Sequence, residues 1–127
     1  MGQAEDQKRA WGKLIIISGP SGVGKSTITR QLVARRAETY LSVSMTTRPQ
    51  AAGEQDGREY WFVSREQFHQ WIEEGRLLEY AEVFGNLYGT PRDNTREMLA
   101  AGRTVILEID VQGAKQVKTI YPQATTI

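Results

Sequence analysis

A glycine-rich turn near the start of the chain has the residue types that bind a nucleoside triphosphate. Residues 19–26 read GPSGVGKS and match the pattern G-x-x-x-x-G-K-[ST]. Glycines allow successive backbone N–H groups to point at one anionic oxygen, and the positive end of a following helix strengthens the attraction. Lys25 would reach the outer phosphates, and Ser26 would place its hydroxyl on Mg²⁺. The motif therefore predicts a phosphate-binding loop.

Two carboxylates in a later apolar segment are candidates for the metal side of such a site. Residues 104–110 read TVILEID, and Glu108 and Asp110 would point to the same side of a strand. A phosphate-binding loop needs an acidic group near its metal ion. An acid within an apolar run is costly without a partner. One or both residues are therefore expected to orient Mg²⁺ waters or to face the acceptor, with a solvated strand end as the alternative.

The segment between residues 44 and 90 carries groups that suit the phosphate of a nucleoside monophosphate. Arg48 offers the planar fork that pairs with phosphate oxygens. Tyr60 and Tyr88 carry hydroxyl donors. Each residue alone is weak evidence, since a tyrosine on a strand is more often a packing residue.

The same segment carries groups that suit a guanine base. Glu79 lies in a strand-like stretch, and its carboxylate can accept hydrogen bonds from N1–H and the 2-amino group of guanine. Adenine has neither group, so a site built this way discriminates strongly. The hydroxyls of Ser44 and Thr90 can donate to the guanine O6.

The order of predicted elements indicates an α/β protein with an insert. Continuous apolar runs at residues 13–18 and 104–110 are typical of strands in a parallel sheet that is covered on both faces. Further strands are predicted at residues 41–44 and 60–63, with a last one starting at 124. Helices are predicted at residues 26–38, 64–74, 91–102 and 112–118.

Local signals mark where several of these elements begin and end. Ser64 and Gln67 form a capping box at the start of one helix. Thr90 is predicted to cap the next helix, with Pro91 as its first residue and Gly102 at its end. The pair at residues 85–86 (Gly-Asn) is predicted to be the turn of a hairpin.

These elements give a P-loop type parallel sheet with helices on both faces and a mostly β insert. We predict a loose leader at residues 1–12, a core at 13–44 and 91–127, and a monophosphate-binding insert at 45–90. A wound sheet needs further strands and helices to cover it, so the sequence is expected to be the N-terminal portion of a larger domain.

Composition excludes several classes of protein. The chain has 127 residues, a formal net charge of +1 and no cysteine. The charge balance argues against a general nucleic-acid coat. The missing thiols exclude disulfides and thiolate metal sites. No apolar run is long enough for a membrane span. We expect a cytoplasmic protein without nucleic-acid, membrane or obligate protein partners.

Further motifs resemble those of the guanylate kinase family. They are SVSMTTRP at residues 42–49, Gly53-Glu54 with Gly57 and Tyr60, EYAEVFGNLYGT at residues 79–90, and EIDVQG at residues 108–113. The resemblance runs from about residue 13 to the end of the chain, in order and with family-like spacing.

The resemblance implies transfer of the terminal phosphoryl group of ATP to GMP with Mg²⁺, and leaves deoxy-GMP open as a second acceptor. It implies guanine contacts at Ser44, Glu79 and Thr90. Phosphate contacts would be Arg48, Tyr60 and Tyr88, with Asp110 beside GMP and the metal. The implied catalytic residues are Lys25, Arg48 and Asp110, and the metal would involve Ser26 and Asp110 with Glu108. The implied ATP-binding residues are Gly19, Pro20, Ser21, Gly22, Val23, Gly24, Lys25, Ser26 and Thr27.

The sequence departs from the family in two respects. Ala51 stands where the family usually has a second arginine for the GMP phosphate, so binding would be weaker or another cation such as Arg58 would substitute. The family's lid arginines and adenine-contacting loop have no counterpart in these 127 residues. An arginine of the lid kind contributes about 10³–10⁵ in rate, so the chain alone is expected to be nearly inactive.

Two other functions stay open at this point. A guanylate-kinase-like module that binds phosphorylated peptides would lack catalysis, although such modules typically have eroded phosphate loops. A P-loop kinase of sugar phosphates is the second alternative, and it would have little use for Glu79 together with Ser44.

Overall fold

The computed structural model describes residues 11–18 and 39–127. The predicted phosphate-binding loop and the helix predicted at residues 26–38 lie outside the described residues. The chain divides into two compact units. We call Met1–Ser42 with Asn94–Ile127 the core unit, and Val43–Asp93 the insert unit.

The described residues form eight strands and three helices. The helices are α1 (Arg65–Glu73), α2 (Arg92–Ala100) and α3 (Val111–Ile120). The strands are β1 (Leu14–Ser18), β2 (Thr39–Leu41), β3 (Met45–Thr46), β4 (Trp61–Phe62), β5 (Leu77–Val83), β6 (Asn86–Pro91), β7 (Thr104–Ile109) and β8 (Thr125–Thr126).

The core unit is built on a parallel sheet of four strands in the order β2-β7-β1-β8. Its two longest strands, β1 and β7, are the apolar runs predicted from the sequence. Ile16, Val105 and Ile106 are fully buried. Most residues of both strands are buried and none is exposed, as a covered parallel sheet requires, so the predicted strands at both places are confirmed.

The strand predicted at residues 104–110 ends one residue early. Asp110 caps α3, because its Oδ1 accepts the backbone N–H of Gly113 at 2.8 Å. A capping side chain satisfies a donor that the first helical turn leaves without a partner. The helix then continues to Ile120, two residues beyond the predicted end.

The strand predicted at residues 41–44 is wrong, because the chain passes there from one sheet to the other. β2 ends at Leu41, and Ser42 N–H donates to Ile106 O at 3.0 Å in the core unit. β3 begins at Met45 and pairs with β4 and β6 in the insert unit. The residues between the two strands belong to neither ladder.

The insert unit has a four-stranded sheet in the order β4-β3-β6-β5, with one helix packed on it. Strands β3 and β4 are parallel, whereas β3–β6 and β5–β6 are antiparallel. Phe68 of α1 is fully buried against Met45 and Leu87. The predicted capping box of Ser64 and Gln67 is confirmed at the start of α1.

The hairpin between β5 and β6 turns one residue earlier than predicted. Val83 pairs with Asn86, so the turn residues are Phe84 and Gly85. Their φ angles are 51° and 82°, as a two-residue turn with both central residues left-handed requires. A one-residue slip would exchange the two faces of the sheet, and the observed register buries Leu87 while Phe84 is 99% exposed.

The helix predicted to start at Pro91 starts at Arg92 instead. Pro91 pairs with Leu77 as the last residue of β6. Thr90 does not cap the helix, because its hydroxyl donates to Glu79. The predicted end of α2 at Gly102 is confirmed: its φ is 81°, and its N–H donates to Leu99 O at 3.0 Å.

Within the described residues, no helix has both the length and the apolar character needed to cross a membrane.

Candidate nucleotide-binding site

One face of the insert sheet carries α1, and the opposite face carries most of the predicted acceptor-binding residues. Met45 and Leu87 face Phe68 of α1. Because successive side chains of a strand alternate between faces, Tyr88 and Thr90 of β6 point away from α1. Glu79 pairs directly with Thr90, and Ala81 pairs with Tyr88. The hairpin register therefore places Glu79, Tyr88 and Thr90 on one face.

A buried carboxylate and a buried hydroxyl lie together on this face. Glu79 is 5% exposed and Thr90 is fully buried. Thr90 Oγ1 donates to Glu79 Oε1 at 2.7 Å. A carboxylate is rarely buried without partners, and a charge-assisted hydrogen bond of this kind is among the stronger ones. The carboxylate keeps acceptor capacity beyond this bond, because each of its oxygens has two lone pairs.

Arg48 follows β3 and is fixed in the insert unit by a carboxylate and two aromatic rings. Its guanidinium makes two parallel bonds to Glu54, Nη1–Oε1 at 3.1 Å and Nη2–Oε2 at 2.8 Å. It also lies over the rings of Tyr60 and Phe62, 5.2 Å and 5.7 Å from their centroids. Bidentate pairing and ring stacking both suit arginine rather than lysine.

Two tyrosines connect Arg48 to the face that carries Glu79. The rings of Tyr60 and Tyr88 meet edge to face, with centroids 5.8 Å apart. Tyr88 is two residues from Thr90 on β6, so both side chains lie on the same face. That face therefore holds the Glu79 carboxylate, the rings of Tyr60 and Tyr88, and the Arg48 guanidinium. The arrangement can bind a planar base at one end and an anion at the other.

Arg48 and Glu54 shift each other's pKa. The hydrogen bond from Arg48, and next the backbone N–H of Ala51, lower the pKa of Glu54 below its ordinary 4.5. The hydrogen bond to Glu54 is the largest cause that raises the pKa of Arg48. Both groups are therefore charged at neutral pH, and the pair as a whole is neutral.

The remaining predicted residues lie elsewhere. Ser44 is half-buried between β2 and β3, and its carbonyl accepts Trp61 N–H at 2.8 Å. Glu108 lies in β7 opposite Ile17, and Asp110 caps α3, both in the core unit. The predicted ATP-binding residues and Lys25 fall outside the described residues. Within the described part of the chain, no three His, Cys, Asp or Glu side chains are grouped to hold a metal ion.

Sequence reasoning assigned no role to two residues that hold Arg48. Glu54 belongs to a family motif and Phe62 to a predicted strand, and neither pattern indicates a contact with Arg48. The carboxylate is six residues from Arg48, in a loop with glycines at positions 53 and 57. That spacing has no regular geometry in a helix or strand, so only the loop conformation brings the two charges together.

The fold and the site together define a class of protein. The parallel core sheet with its β-rich insert, together with the glycine-rich sequence motif at residues 19–26, indicates an α/β fold of the P-loop class. Residues 11–127 match the family described as guanylate kinase. The chain therefore belongs to the guanylate kinase family.

Individual relatives support this assignment. The chain is 50% identical to a guanylate kinase of Synechocystis sp., over 98% of this chain and 65% of the relative. It is 55% identical to a guanylate kinase of Thermosynechococcus vestitus, over 91% of this chain and 61% of the relative. The crystal structure of guanylate kinase from Anaplasma phagocytophilum has a TM-score of 0.78 and 34% identity, covering 93% of this chain and 59% of that one. The chain thus spans less than two thirds of each of these proteins.

Proposed function

We propose that this chain binds GMP on its insert unit and provides part of an enzyme that transfers the γ-phosphoryl group of ATP to GMP, giving GDP and ADP. The relatives that it matches are named guanylate kinase. The observation that carries the proposal is the buried Glu79 carboxylate, which receives a 2.7 Å hydrogen bond from Thr90 on the face that also holds Tyr88.

The chemistry of that carboxylate favours guanine. An ionised carboxylate only accepts hydrogen bonds, and guanine presents two parallel donors, N1–H and the 2-amino group. Adenine presents an acceptor at N1, so two acceptors would face each other and the carboxylate would gain no hydrogen bond from the base. A site of this type rejects the wrong base by a large factor because the hydrogen bonds made to the right base are replaced by contacts between two acceptors. Ser44 would donate a further hydrogen bond to the guanine O6, whereas the single O–H of Thr90 already donates to Glu79 and leaves only its oxygen lone pairs for the base.

Arg48, Tyr60 and Tyr88 would bind the phosphate of GMP. Arg48 already makes two parallel bonds to Glu54 with the geometry that a phosphate also accepts. In phosphoryl transfer, positioning and charge neutralisation supply most of the catalysis. Arg48 would orient the accepting phosphate, and Lys25 would hold the donor phosphates. Asp110 would act beside the acceptor.

The oxygen donors of Asp110, Glu108 and Ser26 suit a Mg²⁺ ion that is held mostly by the phosphates of the nucleotides. Asp110 uses Oδ1 for its bond to Gly113 N–H, and its other oxygen is a hard ligand of the kind that Mg²⁺ prefers. One or two carboxylates plus substrate phosphates are the usual protein contribution. Asp110, Glu108 and the Ser26 hydroxyl would supply these contacts, through water in part. When bound, the ion neutralises charge on the phosphates.

The two alternatives predict different ligands. A sugar-phosphate kinase has no use for a buried carboxylate that selects a base. A phosphopeptide-binding module needs no affinity for ATP with Mg²⁺, whereas this chain keeps all three loop glycines, Lys25 and Ser26. Family membership together with the Glu79–Thr90 pair favours the nucleotide kinase.

The test compares the nucleotide preference of the wild type with that of Glu79→Gln, which keeps the size of the side chain but removes its charge. Calorimetric titration of the chain with GMP, IMP and AMP should give the strongest binding for GMP, and IMP should be weaker because it lacks the 2-amino group. Glu79→Gln should weaken GMP binding by about 10- to 100-fold, the range for lost hydrogen bonds to a charged group. The preference for GMP over AMP should largely disappear.

Glu82→Gln is the matched control. Glu82 lies on the same strand, points to the opposite face and is 59% exposed, so its variant should bind GMP like the wild type. A Glu79→Gln variant that keeps the GMP-to-AMP ratio would contradict the proposed base recognition. Equal binding of GMP and AMP by the wild type would contradict the proposed function itself.

A further inference from the structure

The loop that carries Arg48 has too little net positive charge for a phosphate monoester. Such a group carries a charge of about −1.5 to −2 at pH 7. Residues 48–60 contain two arginines and three carboxylates. Arg48 and Glu54 form a neutral pair in which the end of the guanidinium fork is occupied at both nitrogens. The tyrosine hydroxyls nearby are neutral donors. A second cation is therefore needed if this loop binds the phosphate of GMP.

Arg58 is the other arginine of the loop, and it lies against the same turn as Glu54. Its Nη2 donates to Gly53 O at 2.7 Å, one residue before the carboxylate that holds Arg48. Its Nε donates to Glu59 Oε2 at 2.6 Å. The side chain is 54% exposed. These contacts with described residues use two of the five N–H donors of the guanidinium.

The ion pair of Arg58 is easier to exchange than that of Arg48. Arg58 contacts Glu59 through Nε alone, and both side chains are more exposed than those of Arg48 and Glu54. Exposed pairs of this kind contribute little free energy. A phosphate dianion would offer Arg58 a stronger, charge-assisted partner.

The other cations of the insert unit are committed to other parts of it. Its sequence holds five arginines and no lysine. Arg65 donates to Gly85 O at the hairpin turn, and Arg76 lies 3.7 Å from the centroid of the Trp71 ring. Arg92 pairs with Asp93 at the start of α2. Arg58 alone among them has a contact in the loop that carries Arg48.

We infer that Arg58 is the second cation of the acceptor-phosphate subsite. This inference rests on the proposed function, because it assigns a residue to the phosphate of the same ligand. Arg58 exchanges its single contact with Glu59 for the phosphate of GMP, while Gly53 O keeps the guanidinium at the turn. Arg48 stays paired with Glu54 and contributes only its remaining N–H donors, and Arg58 supplies the charge that Glu54 has cancelled.

The experiment compares ligands with and without the phosphate. GMP and guanosine are titrated into the wild-type chain, Arg58→Gln and Arg65→Gln. Arg65 is a close match, since it is 53% exposed and has one carbonyl and one carboxylate partner. Arg58→Gln should weaken GMP binding about tenfold, as expected for lost charged hydrogen bonds. It should change guanosine binding less than about twofold, and Arg65→Gln should leave both ligands unaffected.

Retained guanosine binding shows that the Arg58→Gln pocket is folded. Arg58→Lys keeps the charge but loses the fork, so its GMP affinity should lie between those of the wild type and Arg58→Gln. Equal GMP affinities for Arg58→Gln and Arg65→Gln would overturn the inference, as would an equal loss of GMP and guanosine. Failure of the proposed function has a different signature, since the wild type would then bind AMP as well as GMP.

Discussion

Arg48 is held by neighbours of different chemistry, and each constrains it differently. Glu54 fixes the plane of the guanidinium through two hydrogen bonds. The ring centroids of Tyr60 and Phe62 lie 5.2 Å and 5.7 Å from the Cζ atom of Arg48. The side chain is therefore preorganised before a ligand arrives, which reduces the entropy cost of binding.

The titration of Glu54 reports this pairing directly. Its pKa should lie below 4.5 in the wild type, because Arg48 and the Ala51 N–H stabilise the charged form. Since the folded-state pKa is depressed, the stabilisation is present at neutral pH and is lost as the pH falls through that pKa. Carbon-detected NMR should show the Glu54 pKa rising toward 4.5 in Arg48→Gln.

Glu59 is the internal control for that titration. Its pKa is lowered mainly by a hydrogen bond from Arg58, so Arg48→Gln should leave it low. A Glu54 pKa that does not respond to Arg48→Gln would show that the backbone N–H of Ala51, not the ion pair, holds the carboxylate charged.

The sequence predicts which residues belong to the candidate site better than it predicts which of them contact each other. The sequence motifs contained Glu79 and Thr90, but their mutual hydrogen bond depends on a register that joins positions 11 residues apart. Glu54 was missed as the partner of Arg48 because loop geometry, unlike strand or helix geometry, has no fixed period.

At the scale of elements, the hairpin between β5 and β6 determines which side chains share a face. Its turn places a phenylalanine in the left-handed region, with φ of 51°. An L-residue with a Cβ pays roughly 1–2 kcal/mol for that conformation, and asparagine tolerates it better. The side chain of Phe84 is 99% exposed, so its packing contributes almost no stabilisation to offset the unfavourable backbone conformation.

Phe84→Asn should therefore stabilise the chain by about 1 kcal/mol. Chemical denaturation with urea would measure the change. Phe84→Ala keeps the unfavourable backbone and should give a much smaller effect. If alanine stabilised the chain as much as asparagine, solvent exposure of the ring rather than the backbone angle would be the cause.

Element boundaries were predictable where the signal is local. The capping box at Ser64 and the glycine stop at Gly102 follow from neighbouring residues alone. The predicted position of the hairpin turn was wrong by one residue. A turn at Gly85-Asn86 and a turn at Phe84-Gly85 give different strand registers, and the observed register is the one that buries Leu87. Thr90 was misassigned as a cap because its hydroxyl has a distant partner, and no local pattern reveals that.

At the scale of the whole chain, each unit has its own buried cluster. Met45, Phe68 and Leu87 form the cluster of the insert unit. Val105, Ile106 and Leu107 are buried in the sheet of the core unit. Strands of two or three residues, such as β3 and β4, exist only because partners lie beside them. The strand predicted at residues 60–63 contains β4 and is confirmed, whereas nothing in the sequence of β3 alone predicts a strand there.

Matched substitutions can test whether the two clusters act separately. Leu87→Ala and Leu107→Ala remove the same atoms from buried positions, which typically costs about 2–5 kcal/mol. We expect native-state hydrogen exchange to show lower protection mainly in the insert unit for the first and mainly in the core unit for the second. Equal loss of protection across both units in either variant would show that they unfold as one.

The short turn at Phe84 and Gly85 also limits how the chain can be engineered. Surface turns usually tolerate an added residue. Here an insertion that shifted the pairing by one position would rotate Thr90 toward α1 and move Leu87 to the opposite side. If Glu79 and Thr90 select the base as proposed, nucleobase choice depends on the length of a remote two-residue connection. Libraries that vary that length would then change ligand preference without altering any side chain that touches the ligand.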